Sequence, residues 1–401
     1  MTTKAKYKKT KIGDIPVDWE AVALNESIVM MTNGFVGTAT PFYTDASIGV
    51  TYLQGYNVRD NKIDLTGVTH VTTEFHEKQK KSKLKEGDML TVQSGHIGTT
   101  AIVPYSLKGC NCHALIITRL DKQNVYPNFL AYYFNSSIGR SRLSGIMVGS
   151  TILHINVKDF KKIKLPLPPL PEQKKIAEIL STVDEHIEAT DAIITETEQL
   201  KKGLMQKLFS EGIGHTRFKD TKIGRIPEEW EVVKLKKVCE ILYGKDQKKV
   251  VAIEGDFPIF GTGGLMGMSS QFLYNKPSVL IGRKGTINKP QYIETPFWTV
   301  DTLYYTKVFN NLIPKLLYYY LNSIQLSRYN EATGVPSLNR DVLYNILIPL
   351  APLPEQKQIT SILTEVDNKL EQERSTKAEL DELKRGLMQI LLTGKVRVKV
   401  K

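Results

Sequence analysis

The sequence has few cysteines and no long apolar run. Only three of its 401 residues are cysteine, and Cys110-Asn111-Cys112-His113 has CxC rather than CxxC spacing with no second pair. The sparse cysteines fit a reducing cytoplasm without structural disulfides, and the CxC spacing predicts no metal site. No stretch of about 18 apolar residues occurs, and no apolar core follows the basic first residues. We expect no transmembrane helix and no signal peptide.

Sequence signatures of catalysis are also missing. There is no G-x-x-x-x-G-K-[ST] phosphate loop, no H-E-x-x-H helix and no G-x-S-x-G nucleophile turn. Phe260-Gly261-Thr262-Gly263-Gly264 resembles the cofactor loop of adenine methyltransferases. However, Thr262 replaces a required glycine, and no Asn/Asp-Pro-Pro-aromatic tetrapeptide occurs. We predict a chain without catalytic residues or a cofactor of its own. The enzymatic alternative is a methyltransferase fused to its own recognition domain.

The sequence does contain a repeated helical block. Residues 166–212 repeat as 349–394, and the two copies align without a gap from residues 166–211 onto 349–394, so that Glu172 and Glu355 lie 183 residues apart, as do Met205 and Met388. A proline suits the first turn of each block, and the glutamate after it is favourable at a helix N-terminus. Each block predicts one helix of about 38 residues, which is roughly 57 Å long.

Apolar residues in both blocks recur at alternating steps of three and four, which is typical of a coiled-coil seam. Polar residues, among them His186 and Thr190 in the first block, interrupt each seam. Two seams of equal length in one chain are expected to pair with each other. The predicted seam residues are Ile176, Ile179, Val183, Ile193, Leu200, Leu204, Ile359, Ile362, Val366, Leu380, Leu383 and Leu387.

A second repeat lies outside the helices. The segment Ile15-Pro16-Val17-Asp18-Trp19-Glu20 returns 211 residues later as Ile226-Pro227-Glu228-Glu229-Trp230-Glu231. The chain is thus a tandem duplication. We predict an α+β fold with two globular mixed α/β domains in tandem, two long helices paired as an antiparallel coiled coil, and pseudo-twofold symmetry. The predicted segments are domain 1 at 1–165, the central helix at 166–212, domain 2 at 213–348, and the C-terminal helix and tail at 349–401.

Positive charge is concentrated outside the helices. Span 171–208 holds eight acidic and five basic residues, and span 354–391 holds eight and six, so both are mildly acidic. Because the whole chain carries +12, the remainder carries +17. A polyanion is therefore expected to bind the domains and not the helices.

Loops that match between the two domains supply residues suited to reading DNA. Arg283-Lys284-Gly285-Thr286 aligns with Gln93-Ser94-Gly95-His96, and the stretch from Gly149 aligns with that from Gly334. Arginine suits guanine, and lysine suits phosphate. Ordinary solvated loops are the alternative for every position. The candidates are Gln54, Asn57, Arg59, Gln93, Ser94, His96, Ser150, Thr151, His154, Arg283, Lys284, Thr286, Asn339 and Arg340.

The repeated motifs resemble those of the specificity subunits of type I restriction–modification enzymes. The resemblance rests on Pro-Leu-Pro-Glu-Gln before each long helix, Lys-x-Gly-Leu-Met-Gln near each helix end, and Ile-Pro-x-x-Trp-Glu at each domain entry. It implies a non-catalytic subunit whose two domains each read one half of a split, asymmetric site in double-stranded DNA. It also implies that the helices set the gap and dock two methylation subunits.

The same resemblance implies the remaining partners and cofactors. Restriction subunits would join through the complex, and S-adenosylmethionine, ATP and Mg would be held by partner subunits, with no membrane involved. The competing interpretation is a coiled-coil scaffold with two protein-binding domains, which would not need the excess positive charge.

Overall fold

A computed structural model of the chain describes residues 6–149 and 153–400. It divides into two compact units: unit 1 is Met1–Thr190 with Thr376–Lys401, and unit 2 is Asp191–Ser375. Each unit therefore contains one globular domain and a part of both long helices. Across the described ranges, no helix combines the length and apolarity that crossing a membrane requires.

Unit 1 is built from short strands and short helices. Its strands are β1 (Tyr7–Thr10), β2 (Gly13–Pro16), β3 (Glu20–Ala23), β4 (Ile28–Asn33), β5 (Tyr43–Thr44), β6 (Val50–Leu53), β7 (Val58–Arg59), β8 (Lys62–Ile63), β9 (Thr69–Val71), β10 (Met89–Val92), β11 (Thr100–Ile102), β12 (Asn111–Cys112), β13 (Leu115–Leu120), β14 (Met147–Val148), β15 (His154–Ile155) and β16 (Lys164–Leu167). Its helices are α1 (Thr73–Lys78), α2 (Pro127–Asn135), α3 (Ser137–Ser144) and α4 (Val157–Phe160), followed by α5 (Leu170–Ser210), which begins in unit 1 and ends in unit 2.

Unit 2 repeats this plan with fewer elements. Its strands are β17 (Phe218–Thr221), β18 (Gly224–Pro227), β19 (Glu231–Lys234), β20 (Cys239–Tyr243), β21 (Phe257–Gly261), β22 (Gly264–Ser269), β23 (Ser278–Gly282), β24 (Gln291–Ile293), β25 (Trp298–Thr299), β26 (Leu303–Val308) and β27 (Leu347–Leu350). Its helices are α6 (Pro314–Ser323) and α7 (Arg340–Tyr344), followed by α8 (Leu353–Leu391), which begins in unit 2 and ends in unit 1.

Both units contain the same antiparallel four-stranded sheet. Its order is β11-β10-β13-β4 in unit 1 and β24-β23-β26-β20 in unit 2. The strands β10 and β23 are buried along their whole length, which explains why they read as apolar runs without alternation. Proline begins α2 and α6, whose aromatic and leucine side chains join the main core of their unit. The prediction that one fold occurs twice is confirmed.

The repeated Trp and Glu residues anchor each domain to its helix. A hairpin, β1–β2 or β17–β18, delivers a tryptophan that is 0% exposed in both units. Trp19 Nε1 donates to Glu172 Oε2 at 3.0 Å, and Trp230 Nε1 donates to Glu355 Oε2 at 2.8 Å. The tryptophan motif and the glutamate motif therefore recur together, because their side chains hydrogen-bond to each other in both units.

The glutamine of each Pro-Glu-Gln motif ties the helix start to the domain backbone. Gln173 is fully buried; it accepts from the backbone N–H of Tyr126 and donates to the carbonyls of Asn124 and Pro168. Gln356 makes the same three bonds in unit 2, with Ile313, Asn311 and Ala351 as partners. A buried amide with all three bonds made fixes the helix direction at its first turn.

Within each unit the two long helices pair antiparallel and share an ion pair. In unit 1, Asp184 accepts from the hydroxyl of Tyr132 at 2.7 Å and pairs with Lys384. In unit 2, Asp367 accepts from Tyr319 at 2.7 Å and pairs with Lys201. All members of these two triads are matched between the repeats. Burial, followed by the hydrogen bond to the carboxylate, raises the pKa of both tyrosines.

The predicted seam needs a correction of register. Ile193, Leu200 and Leu383 are 40%, 55% and 50% exposed, so placing them in the seam was wrong. His186 is likewise exposed, and the partly buried Ile187 lies in the seam instead. The predicted residues at 176, 183, 204, 359, 366, 380 and 387 keep their seam positions, while Ile179 and Ile362 flank it against the domain cores.

In the observed seam, the first step from Ile176 or Ile359 is four residues instead of three, and steps of three and four then alternate. Its residues are Ile176, Leu180, Val183, Ile187, Thr190, Ile194, Thr197, Lys201, Leu204 and Leu208 on α5, with Ile359, Leu363, Val366, Leu370, Glu373, Lys377, Leu380, Lys384, Leu387 and Leu391 on α8.

The segment that follows α8 lies against the N-terminal repeat. Arg397 donates to both Glu172 oxygens at 2.7 Å and to both Asp18 oxygens at 2.6–2.7 Å. In unit 2, His215 takes the equivalent place after α5 and contacts Glu355 at 2.9–3.0 Å. A single type of clasp thus closes both units, with arginine in one and histidine in the other.

Candidate DNA interface

The sheet brings the predicted loops to one edge in each unit. In unit 1, β4 and β10 both run antiparallel to β13, so they are parallel to each other and end at the same edge. Asn33 closes β4, and Gln93 directly follows β10. In unit 2, β20 and β23 flank β26 in the same way, which places Tyr243 and Arg283 at the equivalent edge.

The two loops that were predicted to correspond each pair with an equivalent segment of their own unit. Ser94 bridges to His154, and the N–H of Ile155 donates to the carbonyl of Gln93 at 3.0 Å. In unit 2, Lys284 bridges to Ser337, and the N–H of Leu338 donates to the carbonyl of Arg283 at 2.9 Å. We call these two paired segments, 93–98 with 154–157 and 283–287 with 337–340, the reading loops. Ser150 and Thr151, also predicted here, lie outside the described residues.

Glycine shapes the turn of each reading loop. Gly95 has a φ of 78° and Gly285 a φ of 88°, values in the left-handed region that other residues seldom adopt. The turn leaves Ser94, His96, Lys284 and Thr286 exposed. These four predicted side chains are therefore accessible to a ligand.

A groove of about 750 Å³ runs beside the unit 1 reading loop. Arg59 and His96, predicted from separate loops, both line it, together with Arg140, which the sequence did not single out. Arg140 donates to the carbonyl of Ile97 at 2.8 Å and to Asp60 at 2.6 Å, so it braces the loop. Arg59 lies 3.7 Å from a carboxylate oxygen of Asp64 and keeps half of its side chain exposed.

Two predicted candidates have structural roles. Asn57 is 0% exposed; its side chain accepts from the N–H of Gln54 and donates to the carbonyl of Asp64. A base contact would require these bonds to break, so we remove Asn57 from the interface. The amide of Gln54 donates to the hydroxyls of Tyr43 and Thr69 at 3.2 and 3.0 Å and is only partly exposed.

In unit 2, two predicted arginines converge on one tyrosine that the sequence analysis missed. The guanidinium carbons of Arg283 and Arg340 lie 5.3 and 5.1 Å from the ring centre of Tyr243, which is 46% exposed. Arg283 also donates to the carbonyl of Asp301 at 2.9 Å. Asn339 accepts from the N–H of Asp341 and so caps α7. The sequence feature that could have identified Tyr243 is the next residue, Gly244, which matches Gly34 directly after the equivalent strand of unit 1.

Tight packing explains why a glycine directly follows each of these two strands. A side-chain carbon at Gly34 would lie 2.6 Å from the carbonyl oxygen of Cys112, and one at Gly244 would lie 2.0 Å from that of Val300. Both positions therefore exclude larger residues. The residue just before each glycine is held at a fixed place on the edge.

The chemistry of this edge is that of binding. Burial raises the pKa of Tyr304, beneath Tyr243, to about 12, so it stays protonated and donates to the carbonyl of Leu338. All three cysteines are buried, and burial raises the pKa of the Cys239 thiol to about 12. No group of three or more His, Cys, Asp or Glu side chains within 6–149 and 153–400 is arranged to hold a metal ion. What the edge offers is cations, amides and hydroxyls.

A second basic groove lies elsewhere on unit 1. It has a volume of about 1030 Å³ and includes lysines from the basic run after α1. Its basic lining residues are Lys80, Lys81, Lys83, Lys85, Lys108 and Arg119. Lys83 is paired with Glu77 and Arg119 with Asp88, whereas Lys80, Lys81, Lys85 and Lys108 make no ion pair with a described residue. These four lysines are available to phosphate groups.

Comparison with known proteins gives one consistent family. Residues 16–199 and 227–382 match the model of the type I restriction modification DNA specificity domain. A putative type I restriction enzyme MjaX specificity subunit of Methanocaldococcus jannaschii is 30% identical, covering 98% of this chain and 97% of the relative. The MjaVIII specificity subunit of the same organism is 34% identical over 71% and 74%. A solved S subunit of a type I restriction-modification system from M. genitalium shares the fold, with a TM-score of 0.65 and 19% identity over 98% and 99%.

Proposed function

The chain belongs to the family of type I restriction–modification DNA specificity proteins, and from that premise we propose that its two units each read one half of a bipartite, asymmetric DNA site. It is a specificity subunit and is not catalytic by itself. The observation that carries the proposal is the repeated edge. The same sheet presents the same pair of reading loops twice, with different side chains each time.

Two equivalent edges with different residues fit an asymmetric target. Identical edges would favour the same sequence twice, whereas Gln93-Ser94 and Arg283-Lys284 offer different donors and acceptors at matched places. The charge of +17 outside the helices supplies the attraction for the phosphate backbone that positions such contacts.

We further propose that the helix pair sets the gap between the half-sites and docks two methylation subunits. Leu200 on α5 and Leu383 on α8 are 183 residues apart, occupy equivalent positions and are 55% and 50% exposed. Exposed apolar residues at equivalent positions of two helices suit two copies of one partner. Restriction subunits would join through this complex in the cytoplasm. S-adenosylmethionine, ATP and Mg would be held by the partner subunits.

The testing experiment is binding of the full chain to double-stranded DNA over a series of salt concentrations. We expect the logarithm of affinity to fall linearly with the logarithm of salt, with a slope of about −0.9 for each phosphate contacted. Alanine at Lys80 and Lys81 should reduce the slope and leave sequence preference unchanged. A protein-binding scaffold would instead show no measurable DNA affinity at low salt, and that result would overturn the proposal.

A further inference from the structure

Three positions are equivalent in the two units but differ in chemistry. The first closes the edge strand before a glycine and is Asn33 or Tyr243. The second opens the reading loop and is Gln93 or Arg283. The third begins the short helix after the partner segment of that loop and is Val157 or Arg340. We call these three positions the reading triplet.

The triplet of unit 2 holds two cations on one aromatic ring. Arg283 and Arg340 both lie over Tyr243, and neither forms an ion pair with any residue in the described ranges. The Nε of Arg340 is buried without a hydrogen-bond partner among the same residues. Two unpaired guanidinium groups so close together repel each other in the free protein. A ligand that accepts hydrogen bonds and carries negative charge nearby would relieve this repulsion.

Stacking on Tyr243 fixes how these arginines can bind. A guanidinium packed against a ring keeps its planar N–H edge free. The bond from Arg283 to the carbonyl of Asp301 restricts rotation further. Both guanidinium carbons lie within 5.3 Å of one ring centre, which limits their distance from each other. Because one base pair occupies ~3.4 Å along the DNA axis, the two arginines can contact at most about three successive base pairs.

The triplet of unit 1 has no charge. Asn33 is exposed, Gln93 is partly exposed, and both are amides with a donor and an acceptor on one group. Val157 takes the place of Arg340 and contributes an apolar surface. An amide pairs with adenine through N6 and N7, whereas an arginine pairs with guanine through O6 and N7.

We propose that the reading triplet selects bases in each unit, so that unit 2 requires guanine in its half-site and unit 1 requires adenine at the matched place. This inference rests on the proposed function, and it adds the base class that each unit reads. Tyr243 is a positioning residue, since it holds both arginines without contacting a base edge itself.

The experiment is selection of bound duplexes from a randomised library by the full chain, followed by sequencing. Wild type should enrich two half-sites separated by a fixed gap. Arg283→Ala should remove the preference for one G·C pair and Arg340→Gln that for a neighbouring one, each lowering discrimination by roughly 5- to 150-fold, the range that corresponds to about 1–3 kcal/mol. Tyr243→Leu should weaken both preferences together, and Tyr243→Phe should keep them.

The matched control is Gln93→Ala in unit 1, which should alter only the other half-site, at an A·T pair. Thermal unfolding of each variant identifies any that fails to fold, and Arg340→Lys then replaces Arg340→Gln as the milder change. Equal loss of affinity for all duplexes would make the arginines phosphate contacts and overturn the inference. So would a half-site of unit 2 without guanine. If wild type enriches no bipartite motif at all, the proposed function itself fails.

Discussion

Arginine 397 is expected to hold unit 1 together from the far end of the chain. Replacing it with methionine keeps most of the side-chain volume but removes four hydrogen bonds to Glu172 and Asp18. Glu172 is 3% exposed on its side chain, so its carboxylate would be left buried, and among the described residues the Trp19 N–H would be its remaining side-chain donor.

The expected loss of folding free energy depends on how deeply the two side chains of this ion pair are buried. Removing one partner of a fully buried ion pair costs about 3–5 kcal/mol. The Arg397 side chain is 31% exposed, so water screens part of the interaction. We therefore expect Arg397→Met to destabilise unit 1 by about 2 kcal/mol. Combining it with Glu172→Gln should cost less than the two single changes added together, because the uncompensated charge is gone.

The assay is hydrogen exchange in increasing urea, followed separately for residues 6–20 and 217–231. Arg397→Met should lower the opening free energy of the first segment and change the second by less than about 0.5 kcal/mol. His215→Met, its counterpart in unit 2, should do the reverse. Equal effects on both segments, or no effect on 6–20, would refute the clasp.

Four further predictions concern the pH dependence of the same clasp, the domains, the helix pair and catalysis. The Arg397 hydrogen bond, foremost, lowers the pKa of Asp18 below its usual 3.8; the resulting stability is present above that value and lost as pH falls through the lowered one, so Arg397→Met should flatten the acid limb of a stability–pH profile of unit 1. Exchanging residues 20–165 for those of a relative should change one half-site of the bound motif and leave the other intact; changes in both would contradict modular reading. Inserting four residues after Thr190 and four after Glu373 lengthens both helices by about 6 Å, so the gap in the selected motif should grow by about two base pairs at ~3.4 Å each, with the half-sites unchanged. The purified chain without partners should show no methyl transfer, ATP hydrolysis or DNA cleavage, and measurable turnover would contradict the assignment.

The fold could be predicted well from the repeats, because residues that contact each other recur together in both copies. Trp19 and Glu172 recur as Trp230 and Glu355 since each pair is joined by a hydrogen bond. The seam register was harder to predict, because neighbouring residues such as Ile179 and Leu180 are both apolar. Only packing against the second helix and the domain decides which of them is buried.

The sequence predicted the positions of the matched loops better than the burial of single side chains. Gly95 and Gly285 marked turns that the structure confirms. Asn57 has the composition of a base-reading residue, but its burial depends on a turn formed with Asp64. Tyr243 lies 40 residues before Arg283 in the chain. Their proximity follows from the sheet, in which β26 lies between β20 and β23, and this strand order could not be predicted from the sequence.

The central claim is that this chain specifies a bipartite, asymmetric DNA target. The most direct test compares the methylation pattern of genomic DNA in a host that carries the partner subunits, with and without this gene. We predict methylation at one motif made of two different half-sites with a fixed gap, present only with the gene. An unchanged pattern, or a continuous or palindromic motif, would contradict the account.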